Sequence, residues 1–229
     1  MNRAAGLLLA LLAPLALASC GGGGDEATDL TPEERLAEAK TALDETSGVH
    51  ITLEADRLPP GINGLLSADG VGTHAPAFEG DIQVTTGGLT AKAAVIAVDG
   101  TVYAVLPFTT DYAPIDPADY QAPDPAKLMS GEGGLSSLLT SVEGIEEGDD
   151  VRRGEEVLST FSGTLPGDVV AGVIPSAQTD AEFDTTFTLD DGNQLTEVVI
   201  TGPFYPNADP VTYTVGFDEY GTDQDITAP

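Results

Sequence analysis

The chain has 229 residues, 41% of them hydrophobic and 6% aromatic, with one cysteine and no tryptophan. Thirty-eight acidic residues against eight Lys and Arg give a formal charge of −30, which repels nucleic acid and disfavours adhesion to anionic headgroups. The lone cysteine, Cys20, has no disulfide partner in the chain.

Met1 to Arg3 carries one positive charge, and Ala4 to Ala18 is an apolar run broken only by Pro14. That is the form of a signal-peptide core, shorter than the roughly 20 residues a membrane-spanning helix needs. It ends in Leu17-Ala18-Ser19-Cys20, similar to the bacterial lipobox: an aliphatic residue, two small ones that fit a peptidase cleft, and a thiol that takes diacylglycerol. Residues 1–19 are thus read as a signal peptide. Acyl chains on Cys20, palmitate among them, would hold the protein to the extracytoplasmic face of the cell membrane. An ordinary signal peptide with an incidental cysteine is the alternative, but an unpaired free thiol in an oxidising compartment argues for modification. One acyl chain anchors weakly, whereas two or three hold for useful times. All the acidic residues follow Cys20, so the mature surface is highly solvated and the anchor must act without help from electrostatics. Gly21 to Leu30, a glycine run and then a polar acidic stretch, completes a flexible tether over residues 20–30.

Residues 31–229 are expected to form one domain with a sizeable core. Thr31-Pro32-Glu33-Glu34 reads as a helix start, with Thr31 as N-cap, Pro32 in the first helical position and Glu34 completing a capping box. Leu36, Ala39 and Leu43 share one face and Gly48 is the stop, which predicts an amphipathic helix over Pro32 to Ser47. The period then changes to two. Strands are predicted over Val49–Ala55, Leu66–His74, Phe78–Thr86, Ala91–Val98 and Thr101–Leu106, with Asp99-Gly100 as a type I′ hairpin turn. Pro107 to Pro125 holds five prolines and reads as a loop or a series of short turns. Asp124-Pro125 opens a short helix through Met129, and Leu135, Leu138, Leu139 and Val142 fall on one helical face. Strands resume at Val151 and Val157–Leu165, a short apolar helix covers Val169–Ile174, and strands at Ala181–Leu189, Leu195–Thr201 and Val211–Phe217 end the chain. Strands, helices and strands without βαβ alternation define an α+β class with an antiparallel sheet.

Enzyme readings find little support. There is no Gly-x-Ser-x-Gly elbow, and the two histidines, His50 and His74, sit at an outward strand position and beside a turn. No Cys or His cluster has zinc spacing, and the acidic runs at Glu146–Asp150 and Asp190–Asp191 lack the alternation of a calcium loop, so they read as solvated turns. Gly131–Gly134 lacks the Lys-Ser/Thr of a phosphate loop. No metal, cofactor or catalytic residue is implied. What remains is a site defined by shape. A one-sided sheet covered by short, glycine-interrupted helices can leave an apolar space between its layers, although a filled two-layer core gives the same pattern.

Several stretches carry a family likeness beyond the lipobox at Cys20. They are Ser47-Gly48-Val49-His50, Leu66-Ser67-Ala68-Asp69-Gly70, the run from Gly80 to Leu106 with Asp81-Ile82-Gln83-Val84, Gly87-Gly88 and Val98-Asp99-Gly100-Thr101-Val102-Tyr103-Ala104, then Ile115-Asp116-Pro117, Asp124-Pro125-Ala126-Lys127-Leu128, Gly134-Leu135 and Ser162-Gly163-Thr164-Leu165. In these the chain resembles the actinobacterial LppX/LprAFG lipoproteins, and among them the LprG type. The resemblance implies an antiparallel half-barrel, a curved sheet with short helices on its concave side, enclosing an apolar cavity for acylated lipids. It also implies transport of triacylated glycolipid and triacylglycerol through the cell envelope beside a major-facilitator exporter. The physical need is clear, because each methylene moved through water costs about 0.8 kcal/mol.

On this resemblance the cavity wall comprises Ile82, Val84, Val95, Ala97, Val102 and Ala104 from the strands, with Leu128, Leu135, Leu138 and Leu139 from a helical lid. Plain core packing is the alternative for each. Ala93 to Val98 is apolar at every position, so alternation leaves open which strand face lines the cavity. The chain departs from the mycobacterial members in its acidity and its lack of tryptophan. A filled docking module that meets an exporter or envelope partner without carrying lipid is the rival reading.

Overall fold

The computed structural model describes residues 30–120 and 122–229; the expected signal peptide, Cys20 and nearly all of the expected tether lie outside them. The first helix, α1 (Pro32–Glu45), begins as its sequence requires. The Glu34 backbone N–H donates to Thr31 Oγ1 at 3.3 Å, and the Thr31 N–H donates to Glu34 Oε2 at 2.8 Å, closing the capping box. Leu36, Ala39 and Leu43 are its buried stripe. It ends two residues before Ser47, because Thr46 turns extended and its hydroxyl donates to the Gly48 carbonyl at 2.9 Å.

Six strands then run as a meander: β1 (Gly48–Ala55), β2 (Gly64–Thr73), β3 (Ala77–Thr86), β4 (Leu89–Val98), β5 (Thr101–Val105) and β6 (Tyr112–Ile115). After 3-10 turns at Pro117–Tyr120, Pro125–Met129 and Leu135–Thr140 come β7 (Glu143–Glu147), β8 (Val151–Arg153) and β9 (Glu156–Pro166). Helix α2 (Gly167–Val173) leads to β10 (Glu182–Leu189), β11 (Leu195–Gly202) and β12 (Val211–Asp218). Pairing of β1 with β12 joins the two runs into one antiparallel sheet, ordered β6-β5-β4-β3-β2-β1-β12-β11-β10-β9-β7, with β8 paired to β9 off this path. The ends β6 and β7 do not pair with each other, so the curved sheet is an open half-barrel, the α+β antiparallel class expected. Among the described residues no helix is long and apolar enough to cross a membrane.

Local chemistry accounts for most of these elements. Asp99 and Gly100 take φ of 53° and 71°, the two positive values a type I′ turn needs. Asp124 caps the Pro125–Met129 turn by accepting from the Ala126 N–H at 3.1 Å, although this segment and Leu135–Thr140 are 3-10 rather than α-helical. The sequence pattern gave no sign of β6 or β7. They are short edge strands with little buried side chain, one interrupted by Pro114 and the other mostly glutamate, so neither has an alternation to read.

Directly paired residues of an antiparallel sheet point to the same face, and the register traces that face across the molecule. One row runs Ala93, Ile82, Ala68, Leu53, Val215, Val198, Phe187, Phe161 through eight strands. The face is concave and carries α1, α2 and the 3-10 turns, and its side chains make up most of the main core. The bend has a local cause in β2 and β3, where Gly70 and Gly80 stand opposite each other. A Cβ on Gly70 would lie 2.7 Å from both Gly80 Cα and the Phe78 ring, so only two glycines allow this approach.

Register also settles the parity of β4. Ala93, Val95 and Ala97 face the concave side, while Ile96 and Val98 face the convex side, where the C-terminal segment lays Ile226 over them and Ala77. Gln224 Nε2 donates to Glu79 Oε2 at 2.7 Å and fixes that segment in place.

Candidate functional site

The concave face is filled unevenly. Over β9–β12 and β1 it is packed with large side chains: Phe161, Phe183, Phe187 and Phe204 are fully buried, together with Leu36 and Leu43 of α1 and Leu138 and Leu139 of the third 3-10 turn. Phe204 meets Phe183 and Tyr213 edge-on, at centroid distances of 4.9 and 4.8 Å. The Arg35 guanidinium of α1 lies 5.0 Å over the Phe161 ring, and its Nε donates to Asn193 Oδ1 at 2.7 Å. Helix α1 is thereby locked down as the lid of a solid core. Lys40 extends the clamp by donating to the Gly131 carbonyl at 2.9 Å and to Ser136 Oγ at 3.3 Å.

Over β2–β5 the same face is built from small residues: Ala68, Gly70, Gly72, Gly80, Ala91, Ala93, Ala97 and Ala104, with Phe78, Ile82, Val84, Val95 and Val102 among them. Among the described residues the Pro125–Met129 turn packs down on this half, with Ala126 on the Phe78 cluster and Met129 near Gly72. Space remains beside it. A cavity of about 630 Å³ lies between the β5–β6 margin and α2, lined by Val102, Ile115, Leu128 and Pro123 on one side and Gly172, Val173 and Pro175 on the other. Its volume falls in the roughly 300–1,000 Å³ range of small-ligand sites. Asp116, Asp124 and Lys127 stand in its lining beside the apolar residues, and Lys127 is mostly exposed. A second pocket, of about 40 Å³, shares Ala122 and Pro123 with the first and is bounded by Leu53, Leu65, Tyr205 and Tyr213. There Tyr213 donates to the Leu65 carbonyl at 3.3 Å and its oxygen lies 2.8 Å from that of Tyr205. Burial, then the Tyr205 hydroxyl, push the Tyr213 pKa well above its usual value, so Tyr213 stays neutral within the wall.

Of the residues expected to line a cavity, Val102 and Leu128 do so. Val95, Ala97 and Ala104 are buried with Val102 in the Phe78 cluster, and Ile82 packs at its margin. Val84 shares their face and is half-buried nearer the Gly87-Gly88 turn. All six strand residues therefore face the concave side. Leu135, Leu138 and Leu139 are elsewhere: they are buried under α1 in the filled half, away from the cavity lining. Sequence reasoning missed Ile115, Ala118, Ala122 and Pro123, and the end of α2 with Pro175. The usable signal was the proline-rich run itself, because a long connection without regular structure is commonly a binding element.

The histidines serve other ends. His50 lies on the convex face between two carboxylates, with Nδ1 2.7 Å from Asp218 and Nε2 3.1 Å from Asp69. Burial lowers its pKa, but the hydrogen bonds and charges of Asp69 and Asp218 outweigh that and raise it above 6.5. His74 Nε2 donates to the Leu43 carbonyl at 2.8 Å and tethers the β2–β3 turn to the end of α1. Among the described residues no group of three His, Cys, Asp or Glu side chains is arranged to hold a metal ion.

A curved antiparallel sheet with a solid core over one half and an unfilled concave space over the other defines an open half-barrel. The chain belongs to the LppX_LprAFG lipoprotein family, whose model matches residues 31–227. The lipoarabinomannan carrier proteins LprG of Mycobacterium bovis and Mycobacterium tuberculosis are each 26% identical to it over 179 residues, 76% of this chain and 74% of theirs. The crystal structure of LprF from Mycobacterium bovis matches with a TM-score of 0.71 at 17% identity, covering 86% of this chain and 96% of that one. Lipoprotein LppX from Mycobacterium tuberculosis matches with a TM-score of 0.62 at 14% identity, covering 86% and 98%. At those identities the likeness is one of fold.

Proposed function

We propose that this chain is a lipoprotein anchored through acyl chains on Cys20 to the extracytoplasmic face of the cell membrane, whose single domain, residues 31–229, shelters the tails of acylated lipids and carries them across the envelope. The observation that carries this reading is the unfilled concave space beside β5, in a molecule whose other half is packed solid. Membership of a lipoprotein family that includes named carriers supports it. The cargo class is an acylated lipid or glycolipid, triacylated forms included, and a major-facilitator exporter is the partner that hands it over or receives it.

The physics asks for no bond chemistry. Each methylene kept out of water is worth about 0.8 kcal/mol, so a protein that only encloses tails removes most of the barrier to transfer. In this reading Val102 of the sheet and Leu128 of the Pro125–Met129 turn line the space, Val95, Ala97, Ala104, Ile82 and Val84 share the concave face behind and beside it, and Lys127 with Asp116 and Asp124 stands where a headgroup meets water. The cavity favours this over a filled docking module. Gentle extraction of the protein from cells, followed by mass spectrometry of the intact complex, should find acylated lipid bound. Protein that arrives empty and takes up no added glycolipid would overturn the reading.

A further inference from the structure

Charge is distributed unevenly among the connections at one end of the half-barrel. The β1–β2, β3–β4, β5–β6 and β11–β12 connections all emerge at one end, as the antiparallel order dictates. The segments Leu58–Ala68, Ile82–Ala91, Gly100–Thr110 and Val198–Ala208 contain no charged residue, although a fifth of the chain is charged; Asp56, Arg57, Asp111 and Asp209 adjoin the strand ends in these connections, and the β9–β10 connection, with Asp168 and Asp180, emerges at the same end. The opposite end carries Asp99, Asp190, Asp191 and Glu219 in its turns, and Glu38 beside them on α1. For a molecule with a net charge of −30, the uncharged β3–β4 and β5–β6 tips are the parts of this end that meet least repulsion from an anionic bilayer.

That same end presents apolar side chains to water. Leu89, at the β3–β4 turn, is 74% exposed, and Phe108, in the β5–β6 loop, is fully exposed. Phe108 is held there by its backbone. The Thr109 N–H donates to the Leu106 carbonyl at 3.0 Å across Pro107 and Phe108, and Phe108 takes a φ of 70° at a turn position that favours glycine or asparagine. A bulky apolar ring displayed on a strained turn gains nothing in water. Asn63 Oδ1 accepts from the Gly87 N–H at 2.9 Å, which joins the β1–β2 and β3–β4 tips into one unit. The smaller pocket, with Leu65, Tyr205 and Tyr213 in its wall, lies at this end too.

We infer that the uncharged tips of the β3–β4 and β5–β6 connections form a membrane-docking rim, where Phe108 and Leu89 enter the acyl region of a lipid bilayer while lipid passes between that bilayer and the concave space. Exposed aromatic side chains favour the membrane–water interface, and neutral turns approach it without desolvating charge. The purpose of such docking rests on the carrier reading, whereas its detection does not.

The chain has no tryptophan, so one substitution gives a single fluorescent reporter. Phe108→Trp and Asp191→Trp, each in the full chain as purified from cells, are mixed with phosphatidylcholine vesicles whose acyl chains carry bromine. Emission of Phe108→Trp is expected to fall about twofold or more while that of Asp191→Trp, at the acidic end, holds. No quenching at 108, or equal quenching at both positions, would overturn the inference. Transfer of a fluorescent triacylated lipid between vesicles is measured alongside. Leu89→Asp with Phe108→Asp is expected to slow delivery about tenfold while the amount of lipid bound per molecule is unchanged. Unchanged delivery by this variant would also count against the rim. Absence of bound lipid in every form, with quenching at 108 intact, would instead remove the carrier reading and leave the membrane contact standing.

Discussion

Two halves of one continuous sheet face the same concave space and treat it differently. Over β9–β12 the paired positions hold Phe161, Phe187 and Val198, closed over by the leucines of α1. Over β2–β4 the equivalent row holds Ala68, Ile82 and Ala93, and the Pro125–Met129 turn lies on that half. Backbone geometry is shared, so side-chain volume decides which half is solid and which holds a space. Stability and binding are thereby assigned to different residues, and substitutions should separate them.

The largest effect is expected in the filled half. Phe187→Ala should lower stability by about 3–5 kcal/mol, the cost of emptying a packed aromatic site, measured by urea unfolding. Lipid uptake per folded molecule should hardly change. Gly80→Ala strikes the hinge of the bend, since its new Cβ would collide with the Asp69 carbonyl; a loss of about 1–3 kcal/mol is expected, together with reduced lipid uptake because the curvature that makes the space is disturbed.

In the open half the balance reverses. Val102→Trp should cost about 1 kcal/mol or so in stability, yet cut uptake of a fluorescent acyl lipid about tenfold by occupying the cavity. Ile82→Trp, at the margin of the Phe78 cluster, should act in the same direction more weakly. Equal loss of stability and uptake in all of these variants would erase the distinction between the halves.

The smallest effect lies on the convex face. The fold raises the pKa of His50 above 6.5, so it binds the protonated imidazole more tightly than the unfolded chain does. The stabilisation is therefore complete below pH 6.5 and is lost as pH rises through the folded-state value. His50→Gln should remove that part of the pH dependence of unfolding and leave lipid uptake unchanged.

This contrast also explains how much could be read from the amino-acid order. Where one face of a strand is buried and the other wet, alternation marks it, which is why β1, β3, β10 and the capped α1 were legible. Alternation fails where both faces are covered. In β4, Ile96 and Val98 lie under Ile226, a contact across 130 or so residues that no local period announces. It fails again at β6 and β7, where neither face is much buried. The six strand residues named from the family likeness lie on one face because register carries that face through the strands, but their sequence alternation left the face open. Leu135, Leu138 and Leu139 were recognisable as apolar and inward, but which half of the core they would enter depended on the clamp from Lys40 to Gly131 and Ser136, a tertiary contact. The α2 side of the cavity was hidden for the same reason.

The central claim is that hydrocarbon tails lie in the space between β5 and α2. Crystals of the protein grown with a triacylglycerol carrying bromine on its chains would locate those tails by anomalous scattering. Bromine peaks within the cavity beside Val102, Leu128 and Val173 are expected. Peaks confined to the convex surface, or a concave space closed by protein side chains with no bromine inside, would contradict the account.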